Sequence, residues 1–308
     1  MKFKRFTSLT NTYDEKTIQF IRDSGFDKGD WVVTEKLDGA NFAFYYNGED
    51  FRVASRNQFV DGTFFNSQQV INRHKDNIID WYSDVLNPGQ VLVITGELIG
   101  DGIQGRVKYR HPEGMNRSFY AFDASIDGET LGYMWVYDNL DCVPVVPLID
   151  ICSFDKALEY NNTFKSHLSP NLEGDNFSEG LSLSPSQPKY FGSGSRVWLK
   201  NKSPEFKEKS ARAPAPKVEL SLEDNKLLED LLQFVNKNRV LSAISKSGEV
   251  SHKDFGKILG MVMVDVIEEF GEEYGVDPKT VTSEWKTINS ELRREVSREI
   301  REEFVKVL

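Results

Sequence analysis

A chain of 308 residues with 39% hydrophobic residues is long enough for one large domain and a smaller companion. Its formal net charge of -10 excludes a protein coated in basic surface, so any nucleic-acid contact has to come from local patches. No apolar run reaches the roughly 18 residues that span a bilayer, and the amino end, Met1-Lys2-Phe3-Lys4-Arg5, lacks the apolar stretch of a signal peptide.

From the amino end, residues 14–24, closed by Gly25, predict a short helix with Ile18 and Ile21 inward. Val32 and Val33, and then Phe42, Phe44, Tyr45 and Tyr46, have strand composition on either side of Glu35-Lys36-Leu37-Asp38-Gly39-Ala40-Asn41, with Asp38-Gly39 supplying a tight turn. Lys36 is then an ammonium at the mouth of a sheet. A free lysine, with a pKa of about 10.4, is no nucleophile at neutral pH unless it is desolvated or crowded by other cations. On this stretch alone a solvated hairpin lysine is the favoured reading. Asn47-Gly48 is a hairpin signal that returns residues 51–55, and with them Arg56, toward the Lys36 turn. Arg56 by itself reads equally as a surface charge.

Across residues 66–86 the positions Val70, Ile71, His74, Ile78, Trp81 and Val85 recur at helical spacing, so His74 reads as a buried core histidine. Residues 90–99 are a near-continuous apolar run interrupted by Gly96-Glu97, and a carboxylate there needs a partner or a ligand. Phe119, Tyr120 and Phe122 predict a short strand, joined through an Asp127-Gly128 hairpin to another at 131–137. Residues 145–151 read as a strand, Ser153 as the cap of a helix through 160, and 161–178 as a loop. Glu179-Gly180-Leu181-Ser182-Leu183 alternates like a strand. In a last strand, 193–200, period-two alternation sends Lys200 and Lys202 to one side, where they would cradle a phosphate and act as like charges on Lys36. A solvated basic edge is the alternative. Cys142 and Cys152 lack metal-ligand spacing and read as reduced packing residues. Basic stretches at 104–117, with Arg106, Lys108, Arg110 and Arg117, and at 200–217 are candidate phosphate grips.

After Lys202 the composition changes. Ala213-Pro214-Ala215-Pro216 marks a stiff connector, and three helices are expected beyond it. Ser221 with Asp224, Ser251 with Asp254, and Asp277-Pro278 are their start signals. The third, from Val281, would exceed ~40 Å. On it Arg294, Arg298 and Arg301 alternate with acids, as on a salt-bridged solvent face. The predicted organisation is 1–208, a linker at 209–220, and an all-helical 221–308.

In order, Glu35-Lys36-x-x-Gly-x-Asn41, Ser55-Arg56, Gly96-Glu97, Phe122-Asp123, Glu179-Gly180 and Leu199-Lys200-x-Lys202-x-x-x-Phe206-x-Glu208 resemble the covalent nucleotidyltransferases, and most closely the phage RNA ligase 2 family. The helical rather than barrel-forming tail points the same way. The resemblance implies an α+β fold: a nucleotidyltransferase (ATP-grasp-like) domain of antiparallel sheets flanked by helices, with a small all-helical carboxy-terminal domain. It implies an ATP-dependent RNA ligase that works through lysyl-AMP and joins a 3′-hydroxyl to a 5′-phosphate in duplex RNA or a hybrid. A DNA ligase and a non-catalytic nucleic-acid-binding relative are the alternatives. Lys36 would be the nucleophile. Glu35, Leu37, Asn41, Arg56, Glu97, Phe122, Lys200 and Lys202 would serve the nucleotide, with Glu97 accepting from the ribose hydroxyls, Phe122 stacking on the purine, and Asn41 and Arg56 orienting strand ends. Glu179 would hold Mg2+, or Mn2+ in its place. Asp38 stands where that family usually carries His, Asp being the DNA ligase form. A cytoplasmic monomer is expected, in host cytoplasm if phage-encoded, with no membrane association.

Overall fold

A computed structural model describes residues 1–170, 176–206, 220–248, 250–251 and 254–307, the last four of these by backbone only. Two compact units emerge, Met1–Glu205 and Phe206–Leu308. Nearly all of the expected linker, at 209–219, and the basic residues Lys207, Lys209, Arg212 and Lys217 lie outside the described residues, as do Glu208 and His252.

The first unit is α+β. Its strands are β1 (Thr10–Asn11), β2 (Trp31–Lys36), β3 (Ala40–Tyr46), β4 (Phe51–Ser55), β5 (Phe59–Val60), β6 (Leu92–Gly100), β7 (Arg117–Ile126), β8 (Glu129–Thr130), β9 (Leu148–Cys152), β10 (Gly180–Pro185) and β11 (Leu199–Lys202). Its helices are α1 (Glu15–Asp23), α2 (Gln68–Val85), α3 (Gly132–Asn139) and α4 (Phe154–Leu158). They build a five-stranded sheet ordered β1-β11-β10-β2-β9 and a six-stranded sheet ordered β5-β4-β3-β6-β7-β8. All pairings are antiparallel except β1 with β11.

Each sheet buries one face. Phe42, Phe44, Leu92, Ile94, Leu98 and Phe119 pack with α2 residues Val70, Ile78 and Trp81 in one core. Trp31, Val33, Leu181, Leu183 and Leu199 form another with Ile21 and Phe154. Strand alternation therefore sends Thr34, Lys36, Ser182, Lys200 and Lys202 to the opposite face of the five-stranded sheet, and Asn41, Ala43, Thr95 and Glu97 to the opposite face of the six-stranded one. These two faces meet. Phe122 of β7 and Trp198, next to β11, have ring centroids 5.6 Å apart, and Arg196 pairs with Asp123.

Several expectations are corrected. The Lys36 turn is not a hairpin: β2 and β3 belong to different sheets, and residues 37–39 carry the chain from one to the other. Residues 131–137 are not a strand. Only Glu129–Thr130 pairs back, and Gly132, at φ +81, turns the chain into α3, which buries Tyr133, Val136 and then Leu140 at helical spacing. Aromatic, strand-like composition was overridden by this period. The strand expected at 145–151 starts at Leu148, after Pro147, and the last strand is confined to Leu199–Lys202. Val85, expected inside, is 54% exposed at the helix end. His74 is buried, and burial lowers its pKa to about 4, so it is a neutral core residue. Cys142 and Cys152 are buried free thiols, with burial pushing Cys142 up to about 12.

Among its described residues the second unit has four α-helices, α5 (Leu222–Leu232), α6 (Lys237–Ser247), α7 (Phe255–Tyr274) and α8 (Trp285–Val307), where three were expected. The sequence reading passed over α6, whose start is marked by Asn236 accepting from the Arg239 amide. Ser221 caps α5 as expected, its hydroxyl accepting from the Asp224 amide at 3.0 Å. Leu228, Val240, Val262, Ile288, Leu292 and Val296 make one core. Val281 is 52% exposed and precedes α8, which at 23 residues runs about 34 Å, shorter than expected. Arg294 and Arg298 pair with Glu291 and Glu295, as the salt-bridged reading requires. No described helix is long and apolar enough to cross a membrane.

Candidate active site

The site is built where the chain leaves one sheet for the other. Gly180 is register-paired with Lys36 on one side and Lys202 on the other. With no side chain between them, and at φ +142, Gly180 lets β10 press on β11, where a Cβ would lie 2.2 Å from the Asn201 carbonyl oxygen. The lysines converge on the preceding residue: Lys36 Nζ donates to Glu179 Oε2 at 2.6 Å, and Lys202 Nζ lies 3.0 Å from Glu179 Oε1. Gly39 does the equivalent at the turn. A Cβ there would lie 2.3 Å from the Leu98 carbonyl oxygen and 2.9 Å from the Glu97 side chain, so only glycine lets the Lys36 turn press on β6.

Glu179 is 3% exposed. Burial would raise its carboxyl, but Lys202, Lys36 and Arg106 together outweigh burial and hold it at about 2. It is thus an anion shared by two ammonium groups. Lys36 and Lys202 are gathered by one carboxylate that stands between them.

Glu97 is half-buried on the neighbouring sheet, paired in register with Asn41. Burial pushes its carboxyl up to about 8; Lys36 pulls it down, while Glu179 and Asp38 add to the rise. Near neutral pH the ligand-free group holds its proton and offers one donor as well as acceptors, which differs from the expected acceptor-only carboxylate. Arg56 follows β4 and donates to Ser8 Oγ at 2.7 Å. Phe122 is the extra residue of a β-bulge, because Thr95 pairs with Asp123 and Gly96 with Ala121. The bulge puts both Phe122 and Asp123 on the face turned away from the core that holds Ala121 and Ala124, where strict alternation would have sent one of them into that core.

The Glu35 side chain is not part of this group. Adjacent to Lys36 in β2, it points to the other face, 1% exposed, where Oε2 accepts from the His167 amide at 2.9 Å and lies 3.1 Å from its ring. Leu37 is buried.

One residue of the basic stretch at 104–117 is corrected. Arg106 is not an open phosphate grip: it forks onto Asp38, with NH2 to Oδ1 at 2.5 Å and Nε to Oδ2 at 3.1 Å. Asp38 is 2% exposed, its backbone amide donates to the Tyr109 hydroxyl at 2.6 Å, and burial raises its pKa against the pull of Arg106. Sequence reasoning missed this pair because nothing local ties residues 38 and 106. Arg106→Gln should strand a buried carboxylate and cost about 3–5 kcal/mol of stability in urea unfolding. Adding Asp38→Asn should recover most of that loss; a double variant no more stable than the single would refute the pairing.

Two family models match. One described as RNA ligase covers residues 29–202, more than half of the chain. The chain belongs to the RNA ligase family. A model described as T4 RNA ligase 2 C-terminal covers residues 218–306 of this family member, its helical second unit. Among solved structures, a ligand-free mutant of Naegleria gruberi RNA ligase is similar at 23% identity and TM-score 0.49. Mutants of that enzyme with ATP and Mn, and with AMP and Mn, are similar at 22% and 21% identity, each with TM-score 0.48. In each case 67% of this chain is covered, and this chain spans 58% of the length of theirs.

Among the described residues of this family member, no three His, Cys, Asp or Glu side chains come together as a metal cage. Glu179 is one ionised carboxylate beside the Lys36 amine. That donor fits magnesium, which takes one or two carboxylates and completes its shell with water and substrate phosphates.

Proposed function

We propose that the protein is an ATP-dependent RNA ligase that joins a 3′-hydroxyl to a 5′-phosphate, sealing nicks in duplex RNA or RNA/DNA hybrids. The observation that carries this reading is the convergence of Lys36 and Lys202 on Glu179 at the crossing between the sheets.

In the first step the Lys36 amine, having given its proton to solvent, attacks the α-phosphorus of ATP. The N–P bond forms as the bond to pyrophosphate breaks, giving lysyl-AMP. Glu179, with its pKa near 2, is too weak a base to keep that proton; its part is to orient the amine. Lys202, with Lys200 on the same face of β11, offsets charge on the phosphate oxygens. A divalent cation, Mg2+ or Mn2+, would be held by Glu179 together with the ATP phosphates and would neutralise the same oxygens. In the second step a 5′-phosphate oxygen of RNA attacks the adenylate phosphorus, and the Lys36 nitrogen leaves and regains a proton. In the third, the 3′-hydroxyl loses its proton, attacks the activated phosphate and expels AMP. Glu97 and Phe122 are assigned to the ribose and base, Asn41 and Arg56 to the strand ends.

Asp38 does not weigh toward DNA in this reading, because it is buried and paired with Arg106. Nicked duplexes with RNA or DNA on the 3′-hydroxyl side supply the test. Sealing is expected with RNA there and not with DNA. Equal sealing of both would move the assignment to a DNA ligase, and sealing of neither would leave a non-catalytic relative.

A further inference from the structure

The amino-terminal segment runs between the two sheets. Beside the five-stranded sheet, the Thr10 amide donates to the Trp198 carbonyl and the Thr12 amide to that of Lys200. At the six-stranded sheet, Tyr45 pins Lys4 from both sides: its hydroxyl accepts from the Lys4 amide at 3.5 Å and donates to the Lys4 carbonyl at 3.2 Å. Ser8 meets Arg56. Between these anchors Phe6 inserts its ring into the junction of the sheets, 5.4 Å from Phe122 and 5.7 Å from Trp198, while those two lie 5.6 Å from each other. Trp198 is oriented in turn by its indole N–H, which donates to Ser182 Oγ at 2.5 Å. The segment also roofs a cavity of about 550 Å³ that includes Asn41, Thr95, Asp123 and Arg196 in its walls. Its other anchors are Met1 and Phe3, packed beside Ala43, Tyr45, Ala54 and Phe59 of the six-stranded sheet, so Phe6 spans from one sheet's cover to the other's edge strand.

We propose that Phe6 is a positioning residue for the nucleotide's base, a third ring that the amino-terminal strap lends to the junction so that Phe122 and Trp198 are already oriented when the base arrives. This rests on the ligase reading, in which Phe122 stacks on the base. Phe122 sits on a bulge, so its ring orientation is not set by regular cross-strand neighbours. Phe6 and Trp198 supply the missing constraint by tilted and edge-on ring contacts.

The test is the ATP dependence of lysyl-AMP formation by the full chain. Phe6→Ala should raise KM for ATP about tenfold, as expected for losing two ring contacts, and leave kcat within about twofold. Phe6→Tyr should restore the parent KM. Tyr45→Phe, which frees the strap without touching the rings, should shift KM the same way by a smaller factor. An unchanged KM in Phe6→Ala, or a fall in kcat and melting temperature with KM unmoved, would overturn the proposal by reducing Phe6 to packing. Calorimetric titration with ATP, which needs no turnover, should show the same tenfold weakening. A parent protein that binds ATP yet forms no lysyl-AMP would fail the ligase reading and leave this one standing; one that binds no ATP would overturn both.

Discussion

Lys36→Ala is expected to retain no label after incubation with α-labelled ATP and a divalent cation followed by denaturation, a loss of at least about a thousandfold. The reason is stoichiometric. The N–P bond has one nitrogen to form on, and Lys202, although it shares Glu179, reaches it from the opposite side of β10. The same variant should still join RNA that already carries a 5′-adenylate, because that step needs the phosphate's surroundings and not the amine. Lys36 is one of two ammonium groups on the buried Glu179 carboxylate, so its loss should also lower the melting temperature, with Lys202 left to hold the anion. Retention of label by Lys36→Ala at the parent level would end the mechanism, whatever happened to sealing.

Glu179→Gln has the second largest expected effect, a fall of about a hundredfold in lysyl-AMP formation. The amide keeps the shape and removes the charge, leaving two ammonium groups without the anion that draws them together. The pH dependence of stability provides a separate readout. The Glu179 pKa is depressed in the folded protein, from 4.5 to about 2. Its contribution is therefore fully present above about pH 4.5 and is lost as pH falls toward 2, on the order of 3 kcal/mol over that window. Urea unfolding at pH 7 and at pH 3 should show about 2 kcal/mol of this loss in the parent and a much flatter response in Glu179→Gln. Equal responses in the two proteins would mean that the carboxylate is not the buried anion described here.

Much of the architecture was legible because period and punctuation are local. Ile18 and Ile21 before Gly25, the stripe from Val70 to Trp81, and Asn47-Gly48 between β3 and β4 each carry their own signal within one or two turns of chain. Where local signals conflicted, the reading failed. The aromatic stretch 131–137 has strand composition and forms α3, and α6 was passed over although its Asn236 cap was present. The resemblance named the residues that the site brings together, yet it could not say that the Lys36 turn crosses between sheets, since a crossing and a hairpin need the same Asp-Gly chemistry.

What the sequence determined by itself, then, is the inventory and the faces. A glycine after Glu179 and another after Asp38, lysines two apart in a strand, and alternation through β2 and β10 decide which side chains share a surface. Only the tertiary structure decided the pairings: Arg106 with Asp38 and not with RNA, Glu35 with His167 and away from Lys36, Phe6 against Phe122. Those partners lie 68, 132 and 116 positions apart in the chain. Burial sets their choice, because a carboxylate stripped of water must find a cation or a donor wherever the fold brings one within reach, and no local pattern encodes which that will be.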